Sequence, residues 1–265
     1  MNSNNNEERR PPKRLLSYQV GNLQGIGSRE RQEDSFAFAN AMDVTEILRQ
    51  GLLAIVADGM GGMQDGKVAS ECVISTMLSD FEAMDRNSDL SIQFQRSVHH
   101  ANNEVFRRLG GDGGSTVVGG IFFQEKLYFV SVGDSFIYLL RDGRLSRINR
   151  EHNCRNSIFL KTIRAGSMDP EDGRSDPEEA ALTQFVGMDE LSDIDAFRRP
   201  LQLKNRDVLL FCSDGVGGVL SEEEIRECLL TMSPPEACIE MEQRIYRKQR
   251  PHQDNFTALV IRCGY

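Results

Sequence analysis

The chain has 265 residues, of which 39% are hydrophobic and 27% charged, and carries a formal net charge of −9. That is an ordinary globular composition for one large domain, and its acidic balance argues against a nucleic-acid surface, which needs a basic stripe to meet phosphates. The six cysteines include no CxxC pair and no stretch approaches the roughly 18 apolar residues of a membrane span, which disfavours a zinc ribbon, a disulfide framework and a spanning helix.

Residues 1–14 are Asn-rich and then charged around Pro11 and Pro12; they read as a disordered polar tail, with a globular part of 15–265. Short β patterns lie at 17–24 and 34–39, and LLAIVA at 52–57 is continuously apolar, as a doubly covered strand must be. Two helices follow. Val73, Ile74, Met77, Leu78, Phe81 and Met84 form the stripe of the first, and Phe94, Val98, Ala101, Val105 and Leu109 that of the second. From Gly114 to Ile148 the period changes to two, with Tyr128, Val130 and Val132 on one face and Asp142-Gly143 placed as a two-residue hairpin loop, which predicts an antiparallel meander. The stretch 152–193 has weak periodicity and the acidic run SMDPEDGRSDPEE, and is expected to form a flap over the surface. A strand at 207–213 precedes two helices announced by capping boxes, Ser221 with Glu224 and Ser233 with Glu236, the second with Pro234 at its first position. The last strand is 255–262. Paired helices, a run of strands, paired helices and a closing strand predict an α+β fold, a four-layer α-β-β-α sandwich with two central antiparallel sheets and the helix pairs outside.

The chemistry is concentrated where apolar strands end in acids. AIVA breaks at Asp58, LLFCS breaks at Asp214, each is followed by Gly and then Gly-Gly, and a third apolar strand follows Asp254 and Asn255. A lone Asp-Gly is usually a turn, as at Asp142-Gly143. Carboxylates set at the ends of buried strands beside glycines, however, are suited to an all-oxygen site for Mg²⁺ or Mn²⁺. Two such ions lower the pKa of a bridging water, so a site of this kind needs no protein nucleophile. Gly66-Lys67 is followed by Val68, not by the Ser or Thr of a phosphate loop.

In the order and spacing of its motifs the sequence resembles the metal-dependent type 2C protein serine/threonine phosphatases in their bacterial form. The motifs are RERQED from Arg29, ADGMGG at 57–62, GGST at 113–116, VGDS at 132–135, LTQFVG at 182–187, CSDG at 212–215 and QDN at 253–255. The resemblance implies a phosphatase that hydrolyses phosphoserine and phosphothreonine with a hydroxide bridging two Mn²⁺ or Mg²⁺ ions, reversing a cytoplasmic Ser/Thr kinase. It implies that Asp58 bridges the two ions, with the Gly59 carbonyl on one and Asp214 and Asp254 on the other. Glu33 and Asp34 would orient water, Arg29 would grip the phosphate, and Asp134 would share a weaker third metal with Asp214. The partners expected are phosphorylated proteins and a cognate kinase, with no nucleic acid and no membrane, for a cytoplasmic monomer.

Two departures stand out. Met60 occupies the position where some relatives carry a proton-donating His, which leaves metal-bound water as the proton source and His152 as a weak substitute. LTQFVG departs from the usual LTRALG, and the flap acids Asp169, Asp172 and Asp176 take no assigned role. Two further readings compete with a general phosphatase: a non-catalytic phosphoprotein adaptor, which would be expected to lose one of Asp58, Asp214 or Asp254, and a phosphatase dedicated to one partner.

Overall fold

The structure, a computed structural model, describes residues 15–61, 65–154, 156 and 181–265. The expected tail at 1–14 and the centre of the expected flap, with Asp169, Asp172 and Asp176, lie outside the described residues. Along the chain run β1 (Ser17–Gly25), β2 (Ser35–Ala39), α1 (Val44–Gln50), β3 (Leu52–Ala57), β4 (Gly59–Gly61), α2 (Asp65–Ala83), α3 (Leu90–Leu109) and β5 (Gly113–Ser115). There follow β6 (Val117–Phe123), β7 (Lys126–Val132), β8 (Phe136–Arg141), β9 (Arg144–Arg147), β10 (Leu201–Gln202) and β11 (Val208–Cys212). The chain closes with α4 (Asp214–Gly217), α5 (Glu222–Thr231), α6 (Pro234–Arg247) and β12 (Phe256–Gly264).

The alternation within single strands builds the layers. In β3, Leu53, Ile55 and Ala57 pack with Val73, Met77, Phe94 and Val98 of α2 and α3. Its intervening Leu52, Ala54 and Val56 pack instead with Phe211, Leu259 and Ile261 of the other sheet. On the far side, Ala258 and Val260 of β12 join Ile225, Cys228, Met241 and Ile245 of α5 and α6. Because successive side chains of a strand point to opposite faces, a strand covered on both sides is apolar throughout. The four-layer α+β sandwich expected from the sequence is therefore the observed fold, with strand orders β1-β12-β11-β8-β9 and β10-β7-β6-β3-β2.

The expected meander is corrected. β6 and β7 pair in one sheet, β8 and β9 in the other, and the chain crosses between sheets at Gly133–Ser135. The β8–β9 hairpin turns as expected, with positive φ at both Asp142 and Gly143, the geometry of a two-residue loop matched to strand twist. Both capping boxes form, with Ser221 and Glu224 at the start of α5 and Ser233 and Glu236 at the start of α6.

Candidate active site

Asp58 follows β3 directly, Asp214 opens α4 just after β11, and Asp254 lies two residues before β12. Asp134 sits in the crossing between the sheets. These four carboxylates, with Arg29, Glu33 and Gly59, line one cavity of about 260 Å³ at a common end of the sandwich. Asp34 does not line it; it is fully buried behind, where Ser213 Oγ donates to its Oδ2 at 3.0 Å and its Oδ1 has no hydrogen-bond partner. A larger hollow of about 410 Å³, lined by Leu15, Tyr18, Ile47 and Phe122, gathers no comparable set of acids.

The glycine after each strand-end Asp has a steric reason. A Cβ on Gly59 would fall 2.0 Å from the Gly66 carbonyl oxygen, and one on Gly215 would fall 1.9 Å from that of Asn255. Main chains therefore run side by side at the rim, where only Gly fits. Asp58 is further fixed from β5: the Ser115 hydroxyl and the Thr116 N–H donate to its carbonyl at 2.9 and 2.8 Å, and its own N–H donates to Thr116 Oγ1 at 3.3 Å. The GGST glycines serve close packing, since a Cβ on Gly114 would meet the Phe185 ring at 2.4 Å. The hydroxyls beside them do more than the sequence indicated, and only their adjacency to those glycines could have marked them.

Asn255 was part of a recognised motif but carried no assigned role. Its amide nitrogen donates to the carbonyls of Ile26 and Arg31 at 2.9 Å each, and its oxygen accepts from the Glu33 N–H at 2.7 Å. One side chain thus anchors the loop bearing Arg29 and Glu33 to the Asp254 strand end. Arg29 Nη2 donates to Asp254 Oδ2 at 2.6 Å, and this pairing holds the guanidinium pKa above its usual value.

Burial and crowding act together on the acids. Burial, then repulsion from Asp34, Asp214, Asp134 and Asp254, pushes the Asp58 carboxyl well above the ordinary carboxylate range. Burial also raises Asp134 and Asp34 to about 6 each, and it raises Asp214 with help from the Asp254 charge. Among the described residues no three His, Cys, Asp or Glu side chains form a ready-made coordination cluster. The donor set nevertheless suits a hard divalent cation: it is all oxygen, and added positive charge would relieve repulsion that the fold alone leaves uncompensated.

The position of one histidine corrects an expectation. His152 is 4% exposed and does not line the cavity, so burial removes it as the substitute proton donor; burial also lowers its pKa. Met60 lines the cavity in the place considered for an acid.

The model of the family described as protein phosphatase 2C matches residues 26–246. The serine/threonine phosphatase Stp of Listeria monocytogenes is 32% identical over 187 residues, covering 67% of this chain and 71% of that protein. The serine/threonine protein phosphatase PstP of Mycobacterium tuberculosis is 28% identical over 214 residues, 78% of this chain and 40% of that longer protein. Among solved structures, the PstP catalytic domain in complex with two manganese ions superposes with a TM-score of 0.74 at 25% identity, covering 95% of this chain and all of that one. A Streptococcus agalactiae serine/threonine phosphatase, at 24% identity and a TM-score of 0.77, shares the fold.

Proposed function

The chain belongs to the protein phosphatase 2C family and is a bacterial-type protein serine/threonine phosphatase, and from that premise we propose that its cavity hydrolyses phosphoserine and phosphothreonine with two Mn²⁺ or Mg²⁺ ions. The observation that carries this reading is the meeting of Asp58, Asp134, Asp214 and Asp254 around one cavity with Arg29 at its rim. Asp58, the Gly59 carbonyl, Asp214 and Asp254 would hold the two ions, with Asp134 beside Asp214 for a weaker third. Ions bound there supply an acidified water and neutralise phosphoryl charge for in-line displacement.

The remaining steps belong to the chain's own residues. Arg29, 59% exposed, presents a guanidinium fork whose geometry matches two phosphate oxygens. Glu33 faces the cavity on a loop fixed by Asn255, and Asp34 braces Ser213 beside Asp214; both would keep water oriented toward the phosphorus. No imidazole lines the cavity among the described residues, so the departing serine or threonine oxygen takes its proton from water. We read residues 15–265 as one catalytic domain that works as a cytoplasmic monomer on phosphorylated proteins and reverses a Ser/Thr kinase. Among the described residues no helix is long and apolar enough to cross a membrane.

The test is hydrolysis of a phosphothreonine peptide by wild type and Asp214→Asn, with Mn²⁺, with Mg²⁺ and with chelator, alongside Mn²⁺ binding. Loss of an ion-holding carboxylate should lower kcat by at least about 100-fold, beyond what removing a supporting residue does. Wild type that binds two ions yet turns nothing over would instead favour a phosphoprotein adaptor or a phosphatase dedicated to one partner.

A further inference from the structure

His152 is buried, lies outside the cavity, and has no part in the chemistry above. Its contacts nonetheless converge on one residue. The Gly133 N–H donates to the ring Nδ1 at 3.2 Å, and the His152 N–H donates to the Gly133 carbonyl at 2.8 Å. Residue 133 is therefore gripped on both its polar groups by residue 152, immediately before Asp134. An Nδ1 that accepts a hydrogen bond carries no proton, so the ring is the neutral Nε2–H form. That Nε2 is buried without a hydrogen-bond partner, and the nearest acid, Asp193, is 3.7 Å away. Of the two ring nitrogens, only Nδ1 is used.

The other side of Gly133 is equally constrained. Its φ is +99°, and a Cβ there would meet Thr116 Cβ and Cγ2 at 2.7 Å. Thr116 Oγ1 shares a hydrogen bond with Ser135 Oγ at 2.7 Å and accepts from the Asp58 N–H at 3.3 Å. Gly133 is thus clamped between the imidazole and Thr116, and contacts run unbroken from His152 to the backbone of Asp58. The His152 carbonyl in turn accepts from the Thr183 N–H at 2.8 Å, next to Leu182 of the cavity wall.

We propose that His152 is a positioning residue: its Nδ1, by accepting from Gly133, sets the Asp134 turn in the place the reaction needs. This rests on the reading of Asp134 as an ion-holding carboxylate. A histidine that merely filled space would not depend on the acceptor. Asn places its Oδ1 on the same Cγ that bears the imidazole Nδ1, whereas Leu fills the volume and leaves the buried amide unpaired.

The experiment uses the full chain as wild type, His152→Leu, His152→Asn, Asp134→Ala and the double variant His152→Leu/Asp134→Ala. Mn²⁺ binding is followed by the EPR signal of free ion, and kcat and KM are measured on a phosphothreonine peptide. In His152→Leu the weakest measurable Mn²⁺ affinity and kcat should each fall about tenfold, the scale seen for residues that orient ligands, with KM unchanged. His152→Asn should recover most of both, and His152→Leu should add nothing in the Asp134→Ala background. An Asn variant as impaired as Leu, or losses that simply add in the double variant, overturns the proposal. Impaired Asp134→Ala beside unaffected His152→Leu overturns this inference alone, whereas unaffected Asp134→Ala removes the reading of Asp134 and the inference with it. If His152→Leu does not fold, the imidazole ¹⁵N spectrum of wild type decides: an Nε2–H ring with scalar coupling from the Gly133 amide to Nδ1 supports the role, and an Nδ1–H ring refutes it.

Discussion

Arg29 is held by one short ion pair, to Asp254, yet both partners are more than two-fifths exposed. Exposed pairs contribute little to stability, so Arg29→Ala should shift unfolding by less than about 1 kcal/mol. Its effect on turnover should be much larger. Losing a charged donor to phosphate lowers kcat/KM by on the order of 10- to 100-fold, and Lys should restore only part because it lacks the planar fork. Thermal melts and steady-state kinetics on the same variants separate the two effects; unchanged kinetics in Arg29→Ala would remove it from phosphate binding. The sequence displayed the acids well at this scale, because each stands where an apolar run breaks. It hid their supports. Ser213 reaches Asp34 across 179 positions and Asn255 reaches Glu33 across 222, and no local pattern encodes such pairs.

The turn from β11 into α4 lies against the entry to β12, and Gly215 is the point of contact. Gly215→Ala should destabilise by about 1–3 kcal/mol, the usual range for overpacking, and should lower activity by displacing Asp214 from Asp254. Ser221→Ala, at the start of α5 away from the cavity, should cost about 1 kcal/mol through its lost cap and leave kcat unchanged. Chemical denaturation with activity assays checks both; a Gly215→Ala protein as active and stable as wild type would contradict the close approach. The long helices were legible because α2 and α3 repeat their apolar stripe over several turns, and β3 because it is one unbroken apolar run. The small ones were not: α1 has seven residues and buries none, and β4 and β5 have three residues each and are rich in glycine. Period two in β6–β9 revealed strands but not the change of sheet at Gly133–Ser135, since alternation is the same on either sheet.

The whole molecule carries its acids at the seam of two sheets, which ties stability to pH. Asp34 rises from 3.8 to about 6 on folding, so the native state binds its proton more tightly than the unfolded chain. That contribution is complete below the unfolded value and is lost as pH rises through 6, on the order of 3 kcal/mol for a group shifted by about two pH units. Asp134, Asp58 and Asp214 shift in the same direction. Chelated protein should therefore melt at lower temperature at pH 7 than at pH 5, and Mn²⁺ should raise Tm more at pH 7. Calorimetry at the two pH values decides; a metal-free Tm that climbs across this interval would contradict the crowding. The layer order was legible from the succession of helix pairs and strands, whereas the seam required knowing which strands share a sheet. Asn153 bridges Leu182, the Cys154 N–H donates to the Ala181 carbonyl and the Thr183 N–H donates to the His152 carbonyl, while Val186 bridges Ser115. The strip that brings Leu182 to the cavity is therefore tied at one end to the residues that hold Gly133, beside Asp134, and at the other to Ser115, whose hydroxyl holds the Asp58 carbonyl. A shift of that strip is felt at two acids together, one from each side of the seam.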